Sequence, residues 1–217
     1  MRGKKIVLDL EFIPYRRKQE PYCVHEIIEI GAVALDADNE IYDEFQMYVK
    51  PQYGTVPPFV TAITGITNEM LVGQVSFSAF EAWLPQKEPY RFYTWSGSDQ
   101  HVFQAEAEWK ERPLLGNFYG WWVDLQRLHQ RIYGFSKPMK LVTALGSMQI
   151  YFEGTEHGAL ADARNTAKIL QELSDVRRVK SNFSTSHVTY NIASDHTSGG
   201  FTIGQLPIRK TAHSGKK

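Results

Sequence analysis

Alternating hydrophobic and polar residues, together with short apolar runs, mark five segments of the chain that favour β structure. These segments predict strands over residues 4–12, 26–36, 40–50, 90–95 and 118–123. Asp38 and Asn39 form a short polar turn that joins the second and third strands as a hairpin. Three strands in succession, followed by strands that alternate with helices, indicate an α/β domain with a mixed five-stranded sheet flanked by helices.

Apolar residues at helical spacing, bounded by proline, glycine or capping residues, predict six helices. These helices cover residues 57–63, 76–84, 100–110, 124–132, 139–148 and 158–173. Proline in the first turn begins the first helix, and Gly65 ends it. The polar segment 13–21 contains two prolines and is predicted to be a loop.

Composition divides the chain into one domain, residues 1–174, and a polar basic tail, residues 175–217. The tail is expected either to be poorly ordered or to dock on the core through the short patches 188–192 and 200–203. The tail holds seven Lys or Arg against two Asp, although the whole chain has a net charge of zero. A nucleic-acid partner therefore cannot be inferred from the bulk field and would require bound metals or local basic patches. Arg16 to Lys18 is either such a patch or a solvated run of charge.

The overall composition excludes several classes of protein. A hydrophobic content of 42% and a charged content of 22% over 217 residues are typical of a soluble globular domain. No apolar run approaches the roughly 18 residues that span a bilayer, and the N-terminus lacks the apolar region of a secretory signal. The single cysteine, Cys23, cannot form an internal disulfide. These features predict a cytoplasmic protein with no membrane partner.

The first strand carries two carboxylates at its end, Asp9 and Glu11. Because side chains alternate across a strand, both point to the same face, roughly 6.5–7 Å apart. Burying unpaired carboxylates is costly, and a hard divalent cation such as Mg²⁺ would offset that cost. The same spacing also arises by chance, since Asp38-Asn39-Glu40 repeats it within a polar turn. The pair therefore needs partners elsewhere in the chain.

Three further residues are candidates for such partners. Asp99 follows the fourth strand and is either the N-cap of a helix or a site residue at a strand end. His157 and Asp162 are five apart, which on a regular helix separates them by about 140°. They can share a site only if His157 lies in the loop that Gly154 and Gly158 permit, with Asp162 in the first turns of the next helix. The alternatives are a solvated loop histidine and an acid favoured by the helix dipole.

The ordered set Asp-x-Glu, Asp and His-x4-Asp resembles the DEDDh family of 3′–5′ exonucleases, also called DnaQ-like or ribonuclease T-like. The resemblance covers about residues 4–173 and includes the segments 63–67 and 162–167. The segment 63–67 resembles the part of the family that contacts the 3′ end of the substrate. The run 94–99 resembles a branch that contains a sporulation inhibitor and exonucleases that regulate RNA interference.

The resemblance implies a ribonuclease H-like fold and a metal-dependent enzyme. By the same resemblance, the enzyme would act on single-stranded RNA or DNA 3′ ends and release nucleoside 5′-monophosphates with two divalent ions, Mg²⁺ or Mn²⁺. Asp9 would bridge the metals, Glu11 and Asp162 would complete one shell, and Asp99 would support the second metal through water. His157 would act as the general base, because imidazole titrates near neutral pH.

The resemblance also implies residues that hold the terminal nucleotide, namely Phe12, Thr64, Gly65 and Ile66. Phe12 and Ile66 either stack against the terminal base or belong to the core. Phe12 stands where the family commonly has threonine, which puts the grip on that nucleotide in doubt. Asn165 either supports the site from behind or covers the surface of the helix.

Two other functions are compatible with the same pattern. One is a non-catalytic nucleic-acid-binding module of this fold, and the other is a ribonuclease H-like endonuclease. The choice between RNA and DNA is open, because the contact to a 2′-hydroxyl that would decide it cannot be identified from one chain. The oligomeric state is open as well, and a homodimer is one of the expected states.

Overall fold

A mixed five-stranded sheet forms the centre of the molecule in the computed structural model, which describes residues 4–16, 24–73, 77–86, 89–112 and 122–175. The strands are β1 (Lys4–Tyr15), β2 (Val24–Leu35), β3 (Ile41–Tyr48), β4 (Tyr90–Thr94) and β5 (Trp122–Asp124). Their order is β3-β2-β1-β4-β5. β2 pairs antiparallel with β1 and β3, whereas β4 pairs parallel with β1 and β5. The mixed five-stranded sheet predicted from the sequence is confirmed.

Six α-helices and one short 3₁₀ helix surround the sheet in the described residues. The helices are α1 (Pro58–Thr64), the 3₁₀ helix (Glu69–Leu71), α2 (Ser78–Trp83), α3 (Gly97–Trp109), α4 (Leu125–Tyr133), α5 (Leu141–Ser147) and α6 (Ala159–Ser174). Gly65 ends α1 in the left-handed conformation, with φ of 75°. Six helices were predicted at these places, with ends that differ by one to three residues.

β1 is longer than predicted, because residues 13–15 continue the strand instead of forming a loop. Ile13 is fully buried, and Tyr15 still pairs with Val24. β4 pairs with β1 only over Lys4 to Val7, so among the described residues no strand pairs with the far half of β1 on that side. Pro14 is tolerated there because a proline without an N–H fits a strand edge. The predicted loop is therefore wrong over residues 13–15.

The two faces of the sheet bury separate hydrophobic clusters. Ile6, Leu8 and Leu10 point to the face covered by α2 and α3 and share a cluster with Phe80 and Phe103. Val7 points the other way, into a cluster that α4, α5 and α6 complete. This alternation along β1 places Asp9 and Glu11 on the face covered by α6.

α6 approaches the sheet closely at its N-terminal end, directly over Gly31 of β2. A Cβ atom built on Gly31 would lie 2.1 Å from the carbonyl carbon of Ala159 and 2.1 Å from the backbone nitrogen of Leu160. Only glycine leaves room for the helix backbone at this point. Because Asp9 is paired with Gly31, the same contact brings the start of α6 next to Asp9.

Several sequence predictions lie outside the described residues. These concern Arg17 and Lys18 of the basic patch, the start of the fifth predicted strand, and the tail with its patches 188–192 and 200–203. The predicted boundary at residue 174 stays a prediction. Among the described residues, no helix is long and apolar enough to cross a membrane.

Candidate active site

β1 brings Asp9 and Glu11 to the centre of the sheet, opposite Gly31 and Glu29 of β2. The register of β1 against β2 shifts immediately after Glu11, between Glu11 and Phe12. Such an irregularity bends a strand and redirects the side chains that follow it. The two predicted carboxylates therefore lie on the same face of β1, just before the register between β1 and β2 shifts.

Asp99 lies in the first turn of α3 but does not cap it. Ser96 is the N-cap, and its side-chain oxygen accepts the N–H of Ser98. Asp99 is only 6% exposed, and its Oδ1 accepts the backbone N–H of Leu10 at 3.3 Å. The capping alternative is wrong, because the carboxylate is held against β1, at the residue between Asp9 and Glu11.

His157 and Asp162 meet as the sequence requires, with His157 in the turn before α6 and Asp162 in the first turn of the helix. Gly154 has φ of 95°, as its role in the loop predicts, and His157 itself has φ of 62°, whereas Gly158 is extended at −104°. Glycine is thus needed at one of the two predicted positions. The backbone N–H of His157 donates to Asp162 Oδ2 at 3.3 Å.

The side chains of these two residues converge with Glu11. Potential ligand atoms of Glu11, His157 and Asp162 all lie within 4.8 Å of one another. Residues from β1, from the turn before α6 and from α6 itself thus face one small volume. Glu11 and Asp162 are half-buried, and His157 is exposed at its rim.

Glu29 is a fifth buried carboxylate at the site, and sequence reasoning missed it. It is 2% exposed and lies opposite Glu11 in the sheet. One of its oxygens accepts the side-chain N–H of Gln46 at 2.6 Å, and the other accepts the backbone N–H of Ala159 at 3.1 Å. Glu29 therefore holds the start of α6 against β2. The available signal was a glutamate within the apolar run 27–35, where both faces of the strand are buried.

Burial and mutual repulsion raise the pKa values of these acids. Desolvation raises the pKa of Glu11 to about 8, and the charges of Asp162, Glu29 and Asp99 add to that shift. Desolvation likewise raises the pKa of Asp99 to about 7 and that of Asp162 to about 7. The pKa of Asp9 is raised well above its usual value, by burial first and then by Asp99 and Asp162.

The donor set fits hard divalent cations. In the part of the chain that the structure describes, Asp9, Glu11, Asp99 and Asp162 form no ion pair with Lys or Arg. Asp162 Oδ1 is buried and accepts no hydrogen bond from the described residues. Carboxylate oxygens are the ligands that Mg²⁺ and Mn²⁺ prefer, and a cation would compensate the repulsion among the acids.

The residues predicted to hold the terminal nucleotide differ in accessibility. Ile66 is 1% exposed and packs with Ile13 and Ile28, which favours the core alternative over stacking. Thr64 Oγ1 donates to the carbonyl of Val60 at 3.0 Å and accepts the N–H of Ile66 at 3.0 Å. These bonds order the turn that follows α1.

Phe12 and Gly65 are more accessible than Ile66. Phe12 is half-buried and meets the ring of His25 edge to face, with centroids 5.0 Å apart. Gly65 is exposed at the end of α1. Both are therefore placed where a ligand can reach them.

Asn165 supports the loop that carries His157. It is fully buried, so the alternative that it covers the helix surface is wrong. Its side-chain N–H donates to the carbonyl of Glu153 at 2.8 Å, and its Oδ1 accepts the N–H of Glu153 at 3.1 Å. These two hydrogen bonds to the backbone of Glu153 hold that residue against α6, four residues before His157.

Known proteins resemble this chain over the same region. A sequence model of the exonuclease family (RNase T) matches residues 6–170. ERI1 exoribonuclease 2 of Xenopus laevis is 28% identical over 197 residues, covering 77% of this chain and 28% of the relative. ERI1 exoribonuclease 2 of Danio rerio is 31% identical over 193 residues, covering 77% of this chain and 34% of the relative. The chain thus spans about a third or less of the length of these curated relatives.

A solved structure has the same fold. The nuclease domain of 3′hExo, a DEDDh family member bound to rAMP, superimposes with a TM-score of 0.69 and 24% sequence identity. The match covers 80% of this chain and 92% of that domain. The architecture is therefore that of DEDDh nuclease domains, the ribonuclease H-like fold expected from the sequence.

Proposed function

The chain belongs to the exonuclease family, and from that premise we propose that it is a metal-dependent 3′–5′ exonuclease. It removes nucleotides one at a time from single-stranded 3′ ends and releases nucleoside 5′-monophosphates. RNA is the proposed substrate class, because the similar proteins from Xenopus laevis and Danio rerio are named exoribonucleases. Matched DNA is the comparison substrate.

One observation carries this proposal: four buried or half-buried carboxylates from three distant parts of the chain converge beside a histidine. They are Asp9, Glu11, Asp99 and Asp162. A site of this kind is unfavourable until cations enter, so its acids are poised to hold two divalent metals. Two such ions, when bound, supply a nucleophilic water at neutral pH and stabilise the charge that develops on a phosphodiester.

The protein's own residues have distinct tasks in this reaction. Asp9, Glu11 and Asp162 would hold cations, and Asp99 would support them from the first turn of α3. His157 lies at the exposed rim of the site and takes the proton from the attacking water at an imidazole nitrogen. The bond from its backbone N–H to Asp162 ties the base to the acids.

The terminal nucleotide is proposed to bind at the exposed end of α1 and beside Phe12. Gly65 leaves that end uncovered, and the hydrogen bonds of Thr64 keep it ordered. Phe12 offers a half-buried ring next to the bulge in β1, which suits stacking on a base of any identity. Ile66 would not contact the nucleotide but would support this turn by packing in the core with Ile13 and Ile28.

The test is digestion of matched RNA and DNA oligonucleotides that carry a 5′ label, with and without Mg²⁺. The proposal predicts a ladder of labelled products that shortens from the 3′ end only when the metal is present, faster for RNA. A circular oligonucleotide should stay intact, and its cleavage would identify an endonuclease. Retardation of the labelled strand in a gel, without any cleavage in Mg²⁺ or Mn²⁺, would identify a binding module.

A further inference from the structure

A cavity of about 480 Å³ opens from the catalytic acids towards α4 and α5. Asp9, His157 and Asp162 line it. Gln126, Lys140 and Thr143 line it as well, from α4 and the start of α5. The volume lies in the range of sites that hold small ligands or single nucleotides. Phe12 and the end of α1 do not line this space, so it is distinct from the proposed site of the terminal nucleotide.

Two hydrogen bonds hold the backbone immediately before Lys140, at the carbonyl of Met139. The carbonyl of Met139 accepts Nε1–H of Trp95 at 3.2 Å and Nε2–H of Gln126 at 2.7 Å. The backbone N–H of Gln126 donates in turn to the carbonyl of Trp95 at 2.8 Å. The turn that begins α5 is therefore fastened to the end of β4, close to the strand end that leads to Asp99.

Charged residues of both signs line the cavity. Its acids are Asp9, Glu156 and Asp162. Lys140 is the one Lys or Arg among the described residues that line it. Lys140 is therefore the described lining residue at which an anionic group is favoured.

The chemistry of a nucleic-acid strand indicates which group that is. The terminal nucleotide contributes a single phosphate, the one that is cleaved at the acids, and otherwise offers only a sugar and a base. The nucleotide on its 5′ side carries a second phosphate, one backbone unit further along. We propose that the cavity is the subsite of this upstream nucleotide and that Lys140 binds its 5′ phosphate. The inference rests on the proposed function and specifies the path that the bound strand takes on the 5′ side of the catalytic centre.

The experiment compares three substrates that differ in their phosphates. A p-nitrophenyl ester of a nucleoside 5′-monophosphate has only the scissile phosphate. A dinucleotide adds the upstream nucleoside, and the same dinucleotide with a 5′ phosphate adds the second anion. In the unmodified protein the 5′ phosphate should raise kcat/KM about five- to tenfold. In Lys140→Met that increase should vanish, whereas hydrolysis of the ester should stay within about twofold.

Two variants control for general effects of charge and structure. Lys137→Met removes an exposed lysine from the same loop that does not line the cavity, and it should keep the response to the 5′ phosphate. Lys140→Arg should restore most of that response. With a longer oligonucleotide, Lys140→Met should also reduce the slope of log(kcat/KM) against log salt concentration by about 0.7.

The outcomes separate the subsite from the activity itself. If Lys140→Met responds to the 5′ phosphate like the unmodified protein, or slows all three substrates equally, the subsite is wrong. The same holds if Lys137→Met loses the response as well. If the unmodified protein hydrolyses none of the three substrates in Mg²⁺ or Mn²⁺, the proposed function fails instead.

Discussion

At the scale of single residues, the site depends on groups that are unfavourable where they stand. Asp9 is half-buried among other acids that raise its pKa, and His157 has a positive φ in the turn before α6. Residues with strained backbones or unpaired charges are found mainly at functional sites. They persist there because the surrounding structure stabilises the fold enough to offset their cost. Asp99 is the most enclosed of the four acids, at 6% exposed, and its carboxylate accepts the backbone N–H of Leu10 in β1.

The role of His157 is tested by His157→Ala. Loss of the proton acceptor should lower kcat by about 10²- to 10⁴-fold, because general base catalysis contributes that much. Affinity for Mn²⁺, measured by calorimetry, should change little, since the four carboxylates remain. A large loss of Mn²⁺ affinity would mean that His157 is a metal ligand, which its distance from Glu11 and Asp162 also permits.

His129 is a buried histidine to which the proposed reaction assigns no role. It is fully buried against Trp95, Tyr133 and Phe135, and neither ring nitrogen has a hydrogen-bond partner among the described residues. Desolvation lowers its pKa to about 4. The unfolded chain therefore binds more protons than the folded one between about pH 4 and 6.5, and this contribution to stability falls as the pH drops.

Replacing His129 with leucine should remove that dependence. His129→Leu should unfold at a higher urea concentration than the unmodified protein at pH 5, with a smaller difference in their midpoints at pH 7.5. Urea titrations at both pH values make the measurement. An equal difference at the two pH values would contradict the account of this residue.

At the scale of elements, the close packing of α6 on β2 assembles the site. Gly31 admits the helix backbone, Glu29 binds the N–H of Ala159, and Asn165 holds the loop before the helix. These three contacts decide where His157 and Asp162 lie relative to β1. The site is therefore sensitive to changes on β2 that touch no substrate.

Gly31→Ala tests this dependence. The added methyl would overlap the backbone of Ala159, so α6 must move away from the sheet. Overpacking of this kind costs about 1–3 kcal/mol of folding free energy. Nuclease activity should fall by more than the unfolded fraction explains, which activity and urea unfolding measured on the same sample would show. Full activity in a destabilised variant would show that the geometry of the site does not depend on this contact.

The elements also explain what the sequence could and could not predict. Periodicity and glycine or proline boundaries located the five strands and six helices, and the family and fold predictions are confirmed. Residues 13–15 were assigned to a loop because Pro14 is a turn signal, whereas pairing with β2 continues past it. Glu29 and Lys140 were missed because the hydrogen bonds of Glu29 and the proposed role of Lys140 depend on contacts across the fold. The glutamate within the apolar run 27–35 was a local signal, but it does not reveal the partners of Glu29.

At the scale of the whole molecule, the fold gathers acids from residues 9, 11, 99 and 162 into one place. Raised pKa values at these acids have a consequence for the stability of the metal-free protein. The pKa of Glu11 is about 8 and those of Asp99 and Asp162 are about 7, whereas these carboxyls titrate near 4 when unfolded. The folded state therefore binds more protons from about pH 4 to 8, and stability falls as the pH rises through that range.

Divalent cations should reverse that loss. Millimolar Mg²⁺ should raise the unfolding temperature more at pH 8 than at pH 6, because the ionised acids bind the metal and the metal binds only the folded state. Thermal unfolding at both pH values, with and without Mg²⁺, measures the difference. Asp9→Asn should shrink the Mg²⁺ effect, and a larger effect at pH 6 than at pH 8 would refute the account.

The most direct measurement of the central claim compares two substitutions of the same chemical kind. Asp9→Asn changes the carboxylate at the centre of the site, whereas Asp38→Asn changes the exposed acid of the polar turn 38–40. Release of nucleoside 5′-monophosphate from a single-stranded RNA is followed in Mg²⁺. The account predicts that Asp38→Asn retains the activity of the unmodified protein and that Asp9→Asn loses at least about 10²-fold. Undiminished release by Asp9→Asn would contradict it.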